Sequence, residues 1–188
     1  MLLRRIFILA LSTLSTSVLA DAIDINLSND VAQLQYIAPT GHVGQGKSEF
    51  HMGFLYNDSN NVLGDAGLLV MNNGGDATDL SVGVGAKILV VRIVNNNAVA
   101  LALGGRVRYA PLSDKRLGLV GQLYFAPDIV TFGDADRYIQ TGVDVEYEIM
   151  PQAVAYLGYR KIKIGIKTAF VPDARLDEGM HLGVRIAF

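Results

Sequence analysis

The residues able to do chemistry are few. The chain of 188 residues has three histidines and no cysteine, which excludes thiol nucleophiles, disulfides, iron–sulfur clusters and cysteine-based zinc sites. Glu49 and His51 stand two residues apart and could form an acid–histidine pair, and His181 lies near the carboxyl end. A hydrolytic triad would also need a serine or water and an orienting acid within hydrogen-bond reach. Neither a Gly-x-Ser-x-Gly nor a His-x-Ser signature occurs, and His42 sits inside the glycine run Gly41-x-x-Gly44-x-Gly46. Three scattered histidines give no metal-ligand spacing, and no strand–helix unit follows that run or Gly104-Gly105 to make a phosphate loop. No catalytic residue, metal or cofactor is therefore expected. A second set holds more promise: Arg106 and Arg108, then Asp144, Glu146 and Glu148, then Arg160 and Arg185. Arginine binds carboxylates bidentately, so these could form a salt-bridge network or a charged gate, provided one architecture brings them together.

Alternation supplies that architecture. Phe50, Met52, Phe54 and Tyr56 share one parity, with Glu49, His51 and Gly53 on the other. Leu80, Val82, Val84, Ala86 and Ile88 alternate with Ser81, Gly83, Gly85 and Lys87, and Val99, Leu101, Leu103, Val107 and Tyr109 with Ala100, Ala102, Gly104, Arg106 and Arg108. Ile139, Val143, Val145, Tyr147 and Ile149 oppose Gln140, Gly142, Asp144, Glu146 and Glu148. The last segment sets Met180, Leu182, Val184, Ile186 and Phe188 against His181, Gly183 and Arg185. A period of two over this length is a strand signal. Turn-forming clusters such as Asn57–Asn61, Asn72–Asp76, Asn95–Asn97 and Met150–Gln152 separate the runs and imply a meander of antiparallel strands.

The faces separate a membrane barrel from a soluble one. Ten residues at about 3.3 Å each, tilted about 40°, rise about 25 Å, the height of an outer-membrane apolar band, whereas soluble strands are usually about five or six residues. The polar faces carry glycine, alanine, serine and a few charges, which suits a narrow filled lumen, while the aliphatic faces end in aromatics. Tyr109, Tyr147 and Phe188 fall at the same ends of their strands and predict a periplasmic aromatic girdle. The spacing predicts an all-β, transmembrane, antiparallel up-and-down barrel of about ten strands: 22–28, 31–38, 47–56, 62–71, 78–92, 98–110, 117–126, 138–149, 153–167 and 178–188. An eight-stranded barrel is the alternative, with the first hairpin outside the wall, because the connection Pro39–Gly46 is long for a periplasmic turn. The ninth strand is irregular: Leu157 and Tyr159 suggest one outward parity and Ile162, Ile164 and Ile166 the other. A bulge near Arg160-Lys161 would reconcile them and turn Arg160 inward beside Asp144.

The amino end gives the compartment. Arg4 and Arg5, the apolar stretch Ile6–Leu11 and the small residue Ala20 fit a signal peptide over 1–20, cleaved there or after Ala22, followed by one domain over 21–188. The run is short of the roughly 20 residues of a membrane-spanning helix. Its removal takes two arginines and moves the net charge from −2 to −4, so there is no basic excess for nucleic acid.

The carboxyl end, Met180-x-Leu182-x-Val184-x-Ile186-x-Phe188, resembles the terminal signal read by the outer-membrane barrel assembly machinery. With the opening hairpin Ile23-Asp24-Ile25-Asn26-Leu27 and the triplet Gly158-Tyr159-Arg160, the chain from Ile23 to Phe188 resembles the YfaZ-type family of small outer-membrane proteins of Gram-negative bacteria. The resemblance implies an outer-membrane barrel and no particular activity. The expected partners are outer-membrane lipid and lipopolysaccharide, with the assembly machinery met through the strand ending at Phe188, and the expected state is a monomer. Three roles follow in order: a structural or interaction protein with a side-chain-filled lumen, meeting its surroundings through loops 127–137 and 168–177; a narrow porin-like channel for small polar solutes; and an outer-membrane lipid-modifying enzyme or protease using His51 or His181.

Overall fold

A computed structural model of the chain describes residues 20–73, 79–93, 96–111, 114–167 and 174–188. Residues 1–19 of the expected signal peptide (1–20) lie outside them, as do residues 168–173 of the expected loop 168–177. The strands are β1 (Ala22–Ser28), β2 (Val31–Val43), β3 (Gly46–Asn57), β4 (Val62–Asn73), β5 (Leu80–Ile93), β6 (Asn96–Tyr109), β7 (Leu117–Ala126), a short β8 (Thr131–Gly133), β9 (Ala135–Met150), β10 (Ala153–Ile166) and β11 (Ala174–Ala187). Successive wall strands pair antiparallel, and β1 pairs β2 on one side and β11 on the other, which closes a ten-stranded barrel. That pairing removes the eight-strand alternative, since the first hairpin is part of the wall.

Three expected loops prove shorter, with strand taking over part of each. The connection 39–46 shrinks to the turn Gly44-Gln45, because β2 and β3 stay paired as far as Val43 and Gly46, with a bulge between Pro39 and Gly41. Gly44 takes φ +62 there, a conformation that favours glycine in so tight a turn. On the opposite end, β9 starts at Ala135 and β11 at Ala174, which shortens the loops placed at 127–137 and 168–177. The first of these folds back. β7 covers β6 only from Leu103 to Tyr109, and β8 pairs with Ala98–Ala100 to occupy the remaining edge of β6, whose backbone groups would otherwise lack partners.

Both described chain ends lie at one rim, taken as periplasmic, where Phe188 N–H bonds the carbonyl of Asp21. Tyr109, Tyr147 and Phe188 point outward at that rim, as the girdle requires. Strands of 14 residues such as β5, β6, β10 and β11 rise roughly 35 Å at a tilt near 40°, about 10 Å beyond the apolar band. The surplus stands at the outer end, and there the interior changes character. Leu55, Leu63, Leu89, Val91, Tyr138, Ile162, Ile164 and Leu176 point inward with almost no exposure and pack against Ala98, Ala100, Ala102, Ala126 and Ala135. Small residues on one side of the bore make room for branched ones on the other, and the result is an apolar cap across the outer mouth.

The cap also explains β10. Its alternation is unbroken from Tyr156 to Ile164: Leu157, Tyr159, Lys161 and Lys163 face out while Gly158, Arg160, Ile162 and Ile164 face in. No bulge occurs at Arg160-Lys161. The irregularity lies further out, between Ile162 and Lys163 against β11. Apolar residues change faces because the surroundings change, from lipid outside to a dry interior, and the backbone parity does not.

Candidate functional site

Below the cap the lumen is polar, and its side chains come from all ten wall strands, Gln33 and Gln35 on β2 among them. Each arrives by strand parity: Asp24 and Asn26 on β1, Glu49 and His51 on β3, Asp65 on β4, Lys87 on β5, Arg106 and Arg108 on β6, Gln122 on β7, Gln140, Asp144 and Glu146 on β9, Tyr156 and Arg160 on β10, Asp177, His181 and Arg185 on β11.

Glu146 is the hub of the lower level. Arg106 Nη2 meets its Oε1 at 2.5 Å, Arg108 Nε meets Oε2 at 3.4 Å, and Arg185 Nη2 lies 3.4 Å from Oε1. Three guanidinium groups thus converge on a carboxylate whose side chain is 4% exposed. Arg185 Nε also binds Asp24 Oδ2 at 3.0 Å, and its guanidinium lies 5.8 Å from the ring of Tyr156. The Tyr156 hydroxyl donates to Asp24 Oδ1 and accepts from Asn26 Nδ2. This placement depends on Gly183, since any side chain there would collide with the Tyr156 ring.

The level above has two further clusters. Arg160 binds Asp177 Oδ2 through Nε at 2.7 Å and through Nη2 at 2.6 Å, and it donates to Asn26 Oδ1 and to Gln33. On the other wall, Lys87 Nζ donates to Gln140 Oε1 at 2.5 Å, which also accepts from the Tyr138 hydroxyl at 2.7 Å. Asp65 stands 4.0 Å from the same ammonium, and the Tyr124 ring centre 4.7 Å. Buried charges are tolerated where such partners and hydrogen bonds satisfy them.

Of the seven residues placed in a charge cluster from sequence, Arg106, Arg108, Arg185 and Glu146 come together as one unit. Asp144 belongs to a neighbouring contact, its Oδ1 2.8 Å from His181 Nε2 without the alignment of a hydrogen bond. Arg160 is inward, but its ion-pair partner is Asp177 and not Asp144. Glu148, half-buried nearer the rim, joins no ion pair among the described residues. The residues that sequence reasoning left out are Asp24, Asn26, Asp65, Tyr156 and Asp177. Parity gives a signal for the first two, polar residues between Ile23, Ile25 and Leu27, and for Asp65, a lone charge between Gly64 and Ala66.

No hydrogen bond joins a histidine to a hydroxyl among the described residues, although the Tyr156 ring lies 5.9 Å from that of His181. His51 Nε2 lies 3.3 Å from Glu49 Oε2. Ser28 pairs opposite His181 on the adjacent strand, yet its hydroxyl goes to Asp177 Oδ1 at 3.5 Å. No group of three or more histidines and carboxylates is placed to hold a metal among the described residues.

The space left between these side chains is a cavity of about 80 Å³, bordered by Gln35, Lys87, Arg106, Gln122, Asp144 and Arg185 among others. It is solvated from the lower end. The side chains of Arg106, Arg185 and Arg108 are 19%, 23% and 32% exposed, whereas Leu55, Leu89 and Ile164 in the cap are at 0%.

A closed wall of ten long strands, apolar outside and polar inside, defines a transmembrane β-barrel of the outer-membrane kind. The chain belongs to the YfaZ family, whose description is "YfaZ precursor" and which matches residues 3–188; it is an outer-membrane protein. No curated protein matches it. Two solved chains are similar in outline. One is described as "KdgM porin", with 9% identity, a TM-score of 0.44 and coverage of 90% of this chain and 99% of that one. The other, from "Unveiling the Mechanism Behind the in-meso Crystallization of Membrane Proteins", has 12% identity, a TM-score of 0.45 and coverage of 90% and 83%.

Proposed function

We propose that this barrel is a closed envelope component with a structural or interaction role and does not conduct solutes. The observation that carries the reading is the occupancy of its bore. A cavity of about 80 Å³ holds a few waters, and the apolar cap stands between it and the outer mouth. Charge balance agrees. Lys87, Arg106, Arg108, Arg160 and Arg185 face Asp24, Glu49, Asp65, Asp144, Glu146 and Asp177, and a selectivity ring would carry a surplus of one sign. A compensated network between filled walls braces the barrel from within. Arg106, Arg108, Arg185 and Glu146 act here as a plug and not as a gate.

Planar-bilayer recording tests this. The wild-type protein should insert without stable single-channel steps. Stable steps that disappear in Arg106→Ala or Glu146→Ala would establish a charged conduction path and overturn the closed-barrel reading.

A further inference from the structure

The outward face is mostly apolar, so cations on it mark a boundary. Along β10 the outward residues run Leu157, Tyr159, Lys161, Lys163 toward the outer end, and along β9 Arg137 follows Ile139. Lys163 pairs with Ile139, Gly165 with Arg137, and Phe125 of β7 with Ile139. Together they line an outward groove of about 470 Å³, with Phe125 and Ile139 in its floor and the three cations at its lip. Glu178 meets Lys161 at 2.5 Å and Arg175 at 3.1 Å. One carboxylate is divided between two cations, and Lys163 stands beside them.

A second groove continues the first. Thr141 lines both, and below it a trough of about 580 Å³ runs among Gly105, Gly121, Leu123, Val143 and Tyr159 at the depth of the apolar band. The outward parity of Gly105 and Gly121 leaves a hollow in a face otherwise built of Val and Leu. Cations above an apolar trough match an amphiphile with anionic groups at the interface and a hydrocarbon chain below, and a basic residue near such a surface is attracted by about 1 kcal/mol.

We propose that this groove binds one outer-leaflet glycolipid, lipopolysaccharide, with a lipid phosphate at Arg137, Lys161 and Lys163 and an acyl chain along Gly105 and Gly121. The site rests on the outward orientation of β6, β7, β9 and β10 and not on the closed lumen, so the conductance test and the test below fail independently.

The delipidated protein, refolded in maltoside micelles, is titrated with bisphosphorylated lipid A and bound lipid is counted by native mass spectrometry. Wild type should bind one lipid A saturably. Lys161→Gln with Lys163→Gln should weaken binding about 30-fold, roughly fivefold per charge. Gly121→Leu should also weaken it, because a Cβ there meets nothing within 4 Å and the larger side chain fills the trough without disturbing the wall. Lys47→Gln, exposed at the other end of β3, should leave binding unchanged. Retained heat-modifiable mobility on gels certifies that each variant is folded. Equal binding by the double lysine variant, or equal binding of dephosphorylated lipid A or phosphatidylglycerol by wild type, overturns the assignment.

Discussion

On β10, Leu157 and Tyr159 face outward around the inward Gly158, while further along Ile162 and Ile164 face inward and alternate with the outward Lys161 and Lys163. The same strand thus obeys opposite rules in its two halves. Over its lower part the barrel has an apolar exterior and an interior of ion pairs. On the outer part of its β9–β10 side it has Arg137, Lys161 and Lys163 outside and aliphatic side chains within, as a soluble β-barrel does. The difference teaches where the membrane ends: polarity follows the medium on each side of the wall, and the reversal on β10 falls between Tyr159 and Lys161. It also shows how the bore is closed on this side, where Ile162 and Ile164 enter the cap from the stretch of β10 that presents Lys161 and Lys163 outward.

The sharpest way to break this comparison is to disturb each interior in its own terms. Glu146→Gln removes the charge on which Arg106, Arg108 and Arg185 converge. It should lower stability by about 3–5 kcal/mol, read as a shifted urea midpoint for the protein folded in vesicles. A loss below about 1 kcal/mol would mean that water and not Glu146 neutralises these arginines. On the outer wall, Leu157→Arg places a charge in the apolar band and should destabilise by about 2–4 kcal/mol in the same titration. The smallest effect is expected six residues further along the same strand. Lys163→Leu lies beyond the band and should change stability by less than about 1 kcal/mol. Equal effects at 157 and 163 would erase the boundary drawn between the two halves.

The strand pattern was legible in the sequence because lipid imposes a strict period of two, and the closing strand because it ends in alternating apolar residues. The Arg106, Arg108, Arg185 and Glu146 unit was legible for the same reason, since parity puts all four inside at similar heights. What escaped was whatever depends on the outer section. Ile162 and Ile164 read as a change of phase, because an apolar residue on an unbroken strand was taken to face lipid. Asp177 went unseen because it lies past the bulge at Leu176, in a segment read as loop. Tyr156 was missed because an aromatic on the polar face can be placed only when Gly183 is known to lie beside its ring, which is a matter of register and not of composition.

The central claim is that the bore is shut at its outer end and solvated from the periplasmic end. The chain contains no cysteine, so Gln122→Cys, in the polar chamber, gives a single reporter. In vesicles of defined orientation, a membrane-impermeant thiol reagent should label it from the side of the chain termini and leave it unlabelled from the opposite side. Equally fast labelling from both sides would show a continuous water path past the Leu89 and Ile164 cap and would contradict the account.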